Sequence, residues 1–251
     1  MATNLEFLYP HIPFTGTNGT FPTADTGYNS SAVITGPRAN FFRASASGTS
    51  VAWDWDYGTT VTPNYCVIAH ADWLTKRDTA NISYTIRGAS DSGFVTGTNY
   101  TGTISTASLL GPTLSDSYIS FSPNAYRYWR VTLTTTASMK HMLSKIYLGT
   151  AFDLGRDPEF SSALQRYASG THRQSKMLVE LEYEGVLNAT RQSFFDTIVK
   201  YADSNPVFLR DSNNVFLNNV TLLHARIIGA RVTSIGLQES AFSLILEEVI
   251  G

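Results

Sequence analysis

The chain has 251 residues, of which 43% are hydrophobic, 12% aromatic and 15% charged, with a formal net charge of −2. That balance excludes disorder, because apolar residues are plentiful and the net charge is small. It also excludes a protein that holds nucleic acid by charge alone, which needs a basic excess.

The charged fraction is well under the roughly 25% of an average globular domain, and 30 Thr, 26 Ser and 14 Asn fill the gap. The start, Met1-Ala-Thr-Asn-Leu-Glu, has neither the basic region nor the apolar run of a secretory signal. No stretch approaches the about 18 apolar residues of a membrane span. The expectation is a protein made and kept in a cytoplasm, or assembled there into something larger. Without a secretory signal, the six Asn-x-Ser/Thr sequons (Asn18, Asn29, Asn81, Asn99, Asn188 and Asn219) carry no weight.

Residues 1–50 are rich in Gly, Thr, Asn and Pro, with one strand signal at 41–43. Short segments rich in β-branched and aromatic residues then follow at 51–57, 65–70, 82–88, 118–122, 128–134 and 145–148. Gly58-Thr-Thr, Thr62-Pro-Asn, Ser90-Asp-Ser-Gly, Gly111-Pro and Ser122-Pro-Asn punctuate them as turns. Ile82, Tyr84 and Ile86 alternate with Ser83, Thr85 and Arg87, the pattern of a strand with one wet face. Gly93, Gly97 and Gly102 are too widely spaced for a phosphate loop and read as loop punctuation. Cys66, the single cysteine, sits among Tyr65, Val67 and Ile68 and reads as a small core hydrophobe. Short, evenly spaced strands with frequent turns indicate a β-sandwich.

Composition shifts near residue 150. Residues 1–150 hold 25 of the 30 Thr, and net charge moves from +1 (9 basic, 8 acidic) to −3 (9 basic, 12 acidic). Residues 151–174 form a segment too long for an ordinary connection, with Phe152, Phe160, Leu164 and Tyr167 amid Gly, Ser and Arg. It is expected to be an arm or interdomain strap that orders against an adjacent chain. Met177, Val179, Leu181 and Tyr183 then alternate with Glu180, Glu182 and Glu184 as a strand. Asn188 is placed to cap a helix running to about Asp203, and Ser204-Asn-Pro206 stops it. A hairpin is expected from 207–210 and a strand beginning at Val215, then a second from 225–235 and 240–249 turning near Gly236. The fold class is therefore mainly β, an N-terminal β-sandwich over 1–150 followed by a smaller α+β domain over 175–251 with one flanking helix.

Reacting groups are sparse. His11, His70, His141, His172 and His224 include no pair at helical i, i+4 spacing, and neither H-E-x-x-H nor C-x-x-C occurs. A metal site around His70 and Asp72 is conceivable, against the plainer reading of a satisfied loop histidine. Asp54 and Asp56 share one face of the strand Trp53-Asp-Trp-Asp-Tyr. Paired carboxylates could serve a glycosidase, but the plainer reading puts the aromatics in the core and the carboxylates in water. Trp53, Trp55, Tyr126, Tyr128 and Trp129 read mainly as core. Trp73, in the Ala71-Asp-Trp-Leu-Thr-Lys loop, is the tryptophan placed at a surface, and with Asp72 it is the expected glycan contact. Glu180, Glu182 and Glu184 form a like-charged row, which in a ring of subunits could meet Arg226 or Arg231 of a neighbour. No catalytic group, metal or cofactor is expected.

Val51-Ala-Trp-Asp-Trp-Asp, Asn64-Tyr-Cys-Val-Ile-Ala-His-Ala-Asp-Trp-Leu, Ile82-Ser-Tyr-Thr-Ile-Arg-Gly-Ala-Ser-Asp, Arg127-Tyr-Trp-Arg-Val-Thr-Leu and Lys145-Ile-Tyr-Leu-Gly-Thr together resemble the strands of a discoidin-type, galactose-binding-like jelly roll over roughly 45–150. Modules of this kind occur in structural proteins of bacteriophage tails. Leu178-Val-Glu-Leu-Glu-Tyr-Glu-Gly-Val-Leu, the 194–201 helix and Asn205-Pro-Val-Phe-Leu-Arg-Asp resemble the ring-forming domain of phage tail-tube, distal-tail and hub proteins. The resemblance implies a virion structural component of a tail, tail tip or baseplate, assembled in the host cytoplasm. Its partners would be copies of itself and other tail proteins (tube, hub, tape measure and fibres), with Phe160, Leu164, Tyr167, Glu180, Glu182, Arg226 and Arg231 at subunit contacts. The alternative is a carbohydrate-binding module that recognises a host surface glycan.

Overall fold

A computed structural model of the chain describes residues 5–10, 20–33, 42–69, 82–104, 117–161, 165–169, 174–202, 207–212, 216 and 222–248. The chain is mainly β and divides into two compact units, residues 10–150 and residues 1–9 with 151–250. The first strand, β1 (Leu5–Pro10), belongs to the second unit.

The 10–150 unit is a β-sandwich. It contains β2 (Phe42–Arg43), β3 (Gly48–Val61), β4 (Tyr65–Ala69), β5 (Ile82–Ala89), β6 (Gly97–Ile104), β7 (Ser117–Ser120), β8 (Tyr126–Met139), β9 (Met142–Leu143) and β10 (Lys145–Phe152). One sheet runs β3-β8-β5-β6 and the facing strands run β10-β4-β7, all antiparallel, with β2 and β9 forming a separate pair. Alternation sends Val51, Trp53 and Trp55 of β3 inward with Trp129, Val131 and Leu133 of β8 and Ile82 and Ile86 of β5. They meet Cys66, Ile68, Ile119, Ile146 and Leu148 from the other sheet. Cys66 is fully buried, and desolvation pushes its thiol far above the ordinary range.

The six strands expected here are present, and most run longer than their apolar cores. The β6 strand corrects the reading of Gly97 and Gly102 as loop punctuation. Both positions lie in the strand and suit glycine: a Cβ at Gly97 would collide with the Gly88 carbonyl oxygen, and one at Gly102 would meet the Tyr84 ring, which would have to shift. Close approach of backbone and aromatic ring, rather than turn geometry, accounts for them.

The second unit holds β1, β11 (Phe160–Ser161), β12 (Gln165–Ser169), β13 (Gln174–Leu187), helix α1 (Asn188–Phe194), β14 (Val207–Asp211), β15 (Leu222–Ile235) and β16 (Glu239–Glu248). Its antiparallel sheet runs β11-β13-β16-β15-β14-β1, and β12 also pairs with β13. Helix α1 continues through a π-helical turn, Phe195–Val199, and a last turn, Lys200–Ala202. Phe194 anchors it on the sheet, with ring centroids 4.8 Å from Phe7, 5.6 Å from Phe152 and 5.8 Å from Phe242.

Three expectations differ here. The expected 1–150 domain lacks its first strand, because β1 pairs with β14 (Leu5 opposite Asp211, Leu8 opposite Phe208) and buries Leu5 and Phe7 in the helix-side core. With Leu5, Phe7, Leu8 and Pro10 all buried, this six-residue strand shows no clean alternation, which hid it. The partner of β14 is β15 from Leu222, not a strand from Val215. The buried carboxylate of Asp211 accepts the Phe216 amide at 2.7 Å, so Phe216 lies in a turn; Val215 lies outside the described residues. The expected arm at 151–174 is, where described, paired with this chain's own β13: Phe160 stands opposite Glu182 and Tyr167 opposite Lys176. Ladder bonds within the chain satisfy backbone groups that an unattached arm would leave open.

Candidate functional site

The outer face of the β3-β8-β5-β6 sheet collects the polar residues that alternate with the core. Strand register arranges them in four rows. Ser50, Thr134, Ser83 and Thr103 form one row, and Ala52, Thr132, Thr85 and Thr101 the next. Asp54, Arg130, Arg87 and Asn99 form the third, and Asp56, Tyr128, Ala89 and Gly97 the fourth. Seven of the eight positions in the first two rows are Ser or Thr, and five of the 25 threonines of residues 1–150 lie in them. β-Branched Thr suits a pleated strand and leaves a hydroxyl in water.

The third and fourth rows are electrostatic. Arg130 donates to both carboxylate oxygens of Asp54 at 2.6 Å, and Arg127 to both of Asp56 at 2.7 and 2.8 Å. Asp56 also accepts the Gly58 amide at 2.8 Å. The bidentate hydrogen bond from Arg127 holds the Asp56 carboxyl below the usual carboxylate range, against the opposing effect of desolvation. Both guanidiniums are raised in turn, chiefly by the hydrogen bonds to their carboxylates. A general acid needs the opposite shift, so the arrangement at Asp56 is built to hold charge in place.

A folded turn borders these rows. Asp91 accepts the Val95 amide at 3.0 Å and the Thr96 amide at 2.9 Å, and the Phe94 amide donates to the Asp91 carbonyl. These bonds hold Phe94 at a φ of 56° with its ring buried under Arg130, whose guanidinium carbon lies 4.2 Å from the ring centroid. A left-handed aromatic residue is costly unless its surroundings fix it, and here the cation–π contact and the Asp91 bonds do so.

The residues singled out in the sequence are distributed as follows. Trp73, Asp72, His70 and Leu164 lie outside the described residues. Trp53, Trp55 and Trp129 are buried, and Tyr126 and Tyr128 are half-buried. His141 is buried, with a ring nitrogen 3.1 Å from the Gly48 carbonyl oxygen. Among the described residues no group of three metal-ligating side chains occurs. Phe160 lies in β11 and Tyr167 in β12. Glu180 is half-buried, while Glu182, Arg226 and Arg231 are exposed. Register puts Glu182, Ser243 and Arg231 in one row across β13, β16 and β15, and Arg226 opposite Glu247.

The hydroxyl rows and Arg87 were missed as features, and Asn188 differs from its expected role as helix cap. Asn188 does not cap the helix with its side chain, since Leu187 takes that position. Its side-chain amide instead donates to the carbonyls of Gly236 and Leu237 at 3.1 and 3.3 Å, and it accepts a bond from Ser240. The threonine count before residue 150 was the available signal for the rows.

No protein-family profile matches the chain, and no curated protein matches it. Solved structures similar to it include three carbohydrate-binding modules. The family 32 module of AlyQ, in complex with 4,5-unsaturated mannuronic acid, is 20% identical over 55% of this chain and 98% of that one, with a TM-score of 0.41. A pectin-binding module is 12% identical over 56% and 91%, with a TM-score of 0.42. Chitosan-binding module 1 of a chitosanase/glucanase from Paenibacillus sp. IK-5 is 18% identical over 55% and 98%, with a TM-score of 0.41. Likeness at this level does not carry a ligand from one chain to another.

Proposed function

We propose that this chain is a non-catalytic binding protein whose β-sandwich recognises carbohydrate on the outer face of its four-stranded sheet. The observation that carries the reading is the pair of hydroxyl rows, Ser50-Thr134-Ser83-Thr103 and Ala52-Thr132-Thr85-Thr101, bordered by the row Asp54-Arg130-Arg87-Asn99. Each Ser or Thr hydroxyl both donates and accepts, as a sugar hydroxyl does. Adjacent strands set these groups about 4.8 Å apart, the scale on which one sugar unit displays its own. Because hydrogen bonds contribute a net of about 0.5–1.5 kcal/mol each, a few of them give weak binding, with Kd values about millimolar and at best tens of micromolar. Trp73 and Asp72 are kept as sequence-predicted contacts for the same ligand.

A glycan array probed with the intact chain tests the reading, with mannuronate, pectin and chitosan fragments among the printed sugars. Retention that falls in the Thr85→Val/Thr101→Val double variant supports it. Retention that is unchanged in the double variant and lost in Trp73→Ala moves the contact off the sheet face. Retention of no sugar at all contradicts the reading.

A second reading, assembly with copies of itself in a phage tail or tail tip, is favoured by the hairpin joining β15 and β16. Asn188 staples that turn, and Leu187, Ile235 and Leu237 beside it are exposed. A rigid apolar projection suits insertion into a neighbour. The virion location and the tail partners belong to this reading. Mass photometry of the intact chain, alone and mixed with tail proteins, is expected to show oligomers that Leu237→Asp dissolves; a strict monomer in both settings contradicts it. Neither reading uses a cofactor.

A further inference from the structure

We infer that the carbohydrate held on this face carries a carboxylate, as in a uronic-acid unit, and that Arg87 is the group that reads it; the inference rests on the carbohydrate reading above. Arg87 stands directly opposite Arg130 on one side and Asn99 on the other. Two guanidiniums facing each other across a strand pair repel, and the neighbouring carboxylates compensate only one of them. Asp54 is taken bidentately by Arg130 and Asp56 by Arg127. In the same unit Arg43 and Lys140 share Asp25 at 3.6 and 2.8 Å. Among the described residues Arg87 has no carboxylate partner, so its row carries an uncompensated positive charge.

The guanidinium of Arg87 is also little used by the protein. Its Nη2 donates to the Val95 carbonyl at 3.3 Å, and its Nε is buried without a partner. One of five N–H donors is engaged. The 90–96 turn does not depend on it, since Asp91 already holds that turn through Val95 and Thr96. The side chain is half-buried, which strengthens any ion it meets. Guanidinium geometry fits a carboxylate through two parallel hydrogen bonds. Thr85 and Thr101 lie one row away on the same face, so a sugar ring resting on the hydroxyl rows brings a ring-borne carboxylate to the arginine row.

The test uses the intact chain on an array of matched pairs: oligogalacturonates with their methyl esters, and oligomannuronates with neutral mannose oligomers. The acidic member is expected to be retained about tenfold or more over its neutral partner. That advantage should vanish in Arg87→Gln, persist in part in Arg87→Lys, and shrink at high salt. Thermal melts confirm that both variants are folded. Equal retention of acidic and neutral partners, or an acidic advantage that survives Arg87→Gln, overturns the inference and leaves the carbohydrate reading standing. Retention of no glycan overturns both.

Discussion

Phe7 sits six residues from the start of the chain, yet its ring is fully buried in the core of the unit formed mainly by residues 151–250. It packs edge-on to Phe194 at 4.8 Å, beneath the helix, from a strand that pairs with β14. Replacing it with alanine removes a whole aromatic ring that nothing nearby can replace. Such truncations cost about 3–5 kcal/mol, of which about 0.5–1.5 kcal/mol reflects the aromatic pair itself. Native-state hydrogen exchange followed by mass spectrometry reads the loss by segment. At about 1.4 kcal/mol per tenfold change, amides of β14, α1 and β16 that exchange by opening of this unit should do so about two to three and a half orders of magnitude faster. Urea unfolding should show the matching drop in midpoint. A loss below about 1 kcal/mol, or faster exchange confined to the sandwich strands, would refute the assignment of β1 to this unit.

Gly97→Ala should destabilise the sandwich by about 1–3 kcal/mol in urea titrations, because the added methyl meets the Gly88 carbonyl, which cannot move without opening the β5–β6 ladder. Asp56 has its carboxyl held below the ordinary value of 3.8 by Arg127. Its contribution to stability is therefore present above the unfolded value and lost as pH falls through the lower folded value. Melting temperatures of Asp56→Asn and of the unsubstituted protein should accordingly converge on acidification below about pH 4. Cys66, buried and with its thiol pushed upward, should resist maleimide at pH 8 in the folded protein and react once urea unfolds it; rapid native labelling would contradict the burial.

Much of the sandwich was legible because its strands are short runs of β-branched and aromatic residues between turn residues, with alternation in places, as at Ile82–Tyr84–Ile86. The helix was legible through Phe194 and Ile198, whose spacing places both on the buried side. What escaped depends on contacts distant in sequence. The β6 strand is mostly Gly, Thr and Asn, with Tyr100 and Ile104, and its glycines are explained by Tyr84 and Gly88 on the adjoining strand. β1 becomes a strand through a partner more than two hundred residues away, as the Glu6–Arg210 ion pair illustrates. The candidate face was hidden for a related reason. Its threonines are unremarkable in each strand, and they become rows through the register of β3, β8, β5 and β6. Asp54 and Asp56 could be placed on one wet face from the sequence, but their arginine partners, 76 and 71 residues away, could not.

Threonine-methyl NMR of the intact chain, titrated with a glycan retained on the array, tests most directly whether the sheet face is the binding surface. Sugar binding there predicts saturable shifts at Thr85, Thr101 and Thr132 with little change at Thr190 and Thr197, which belong to the other unit. Saturable binding that leaves Thr85, Thr101 and Thr132 unshifted would contradict it.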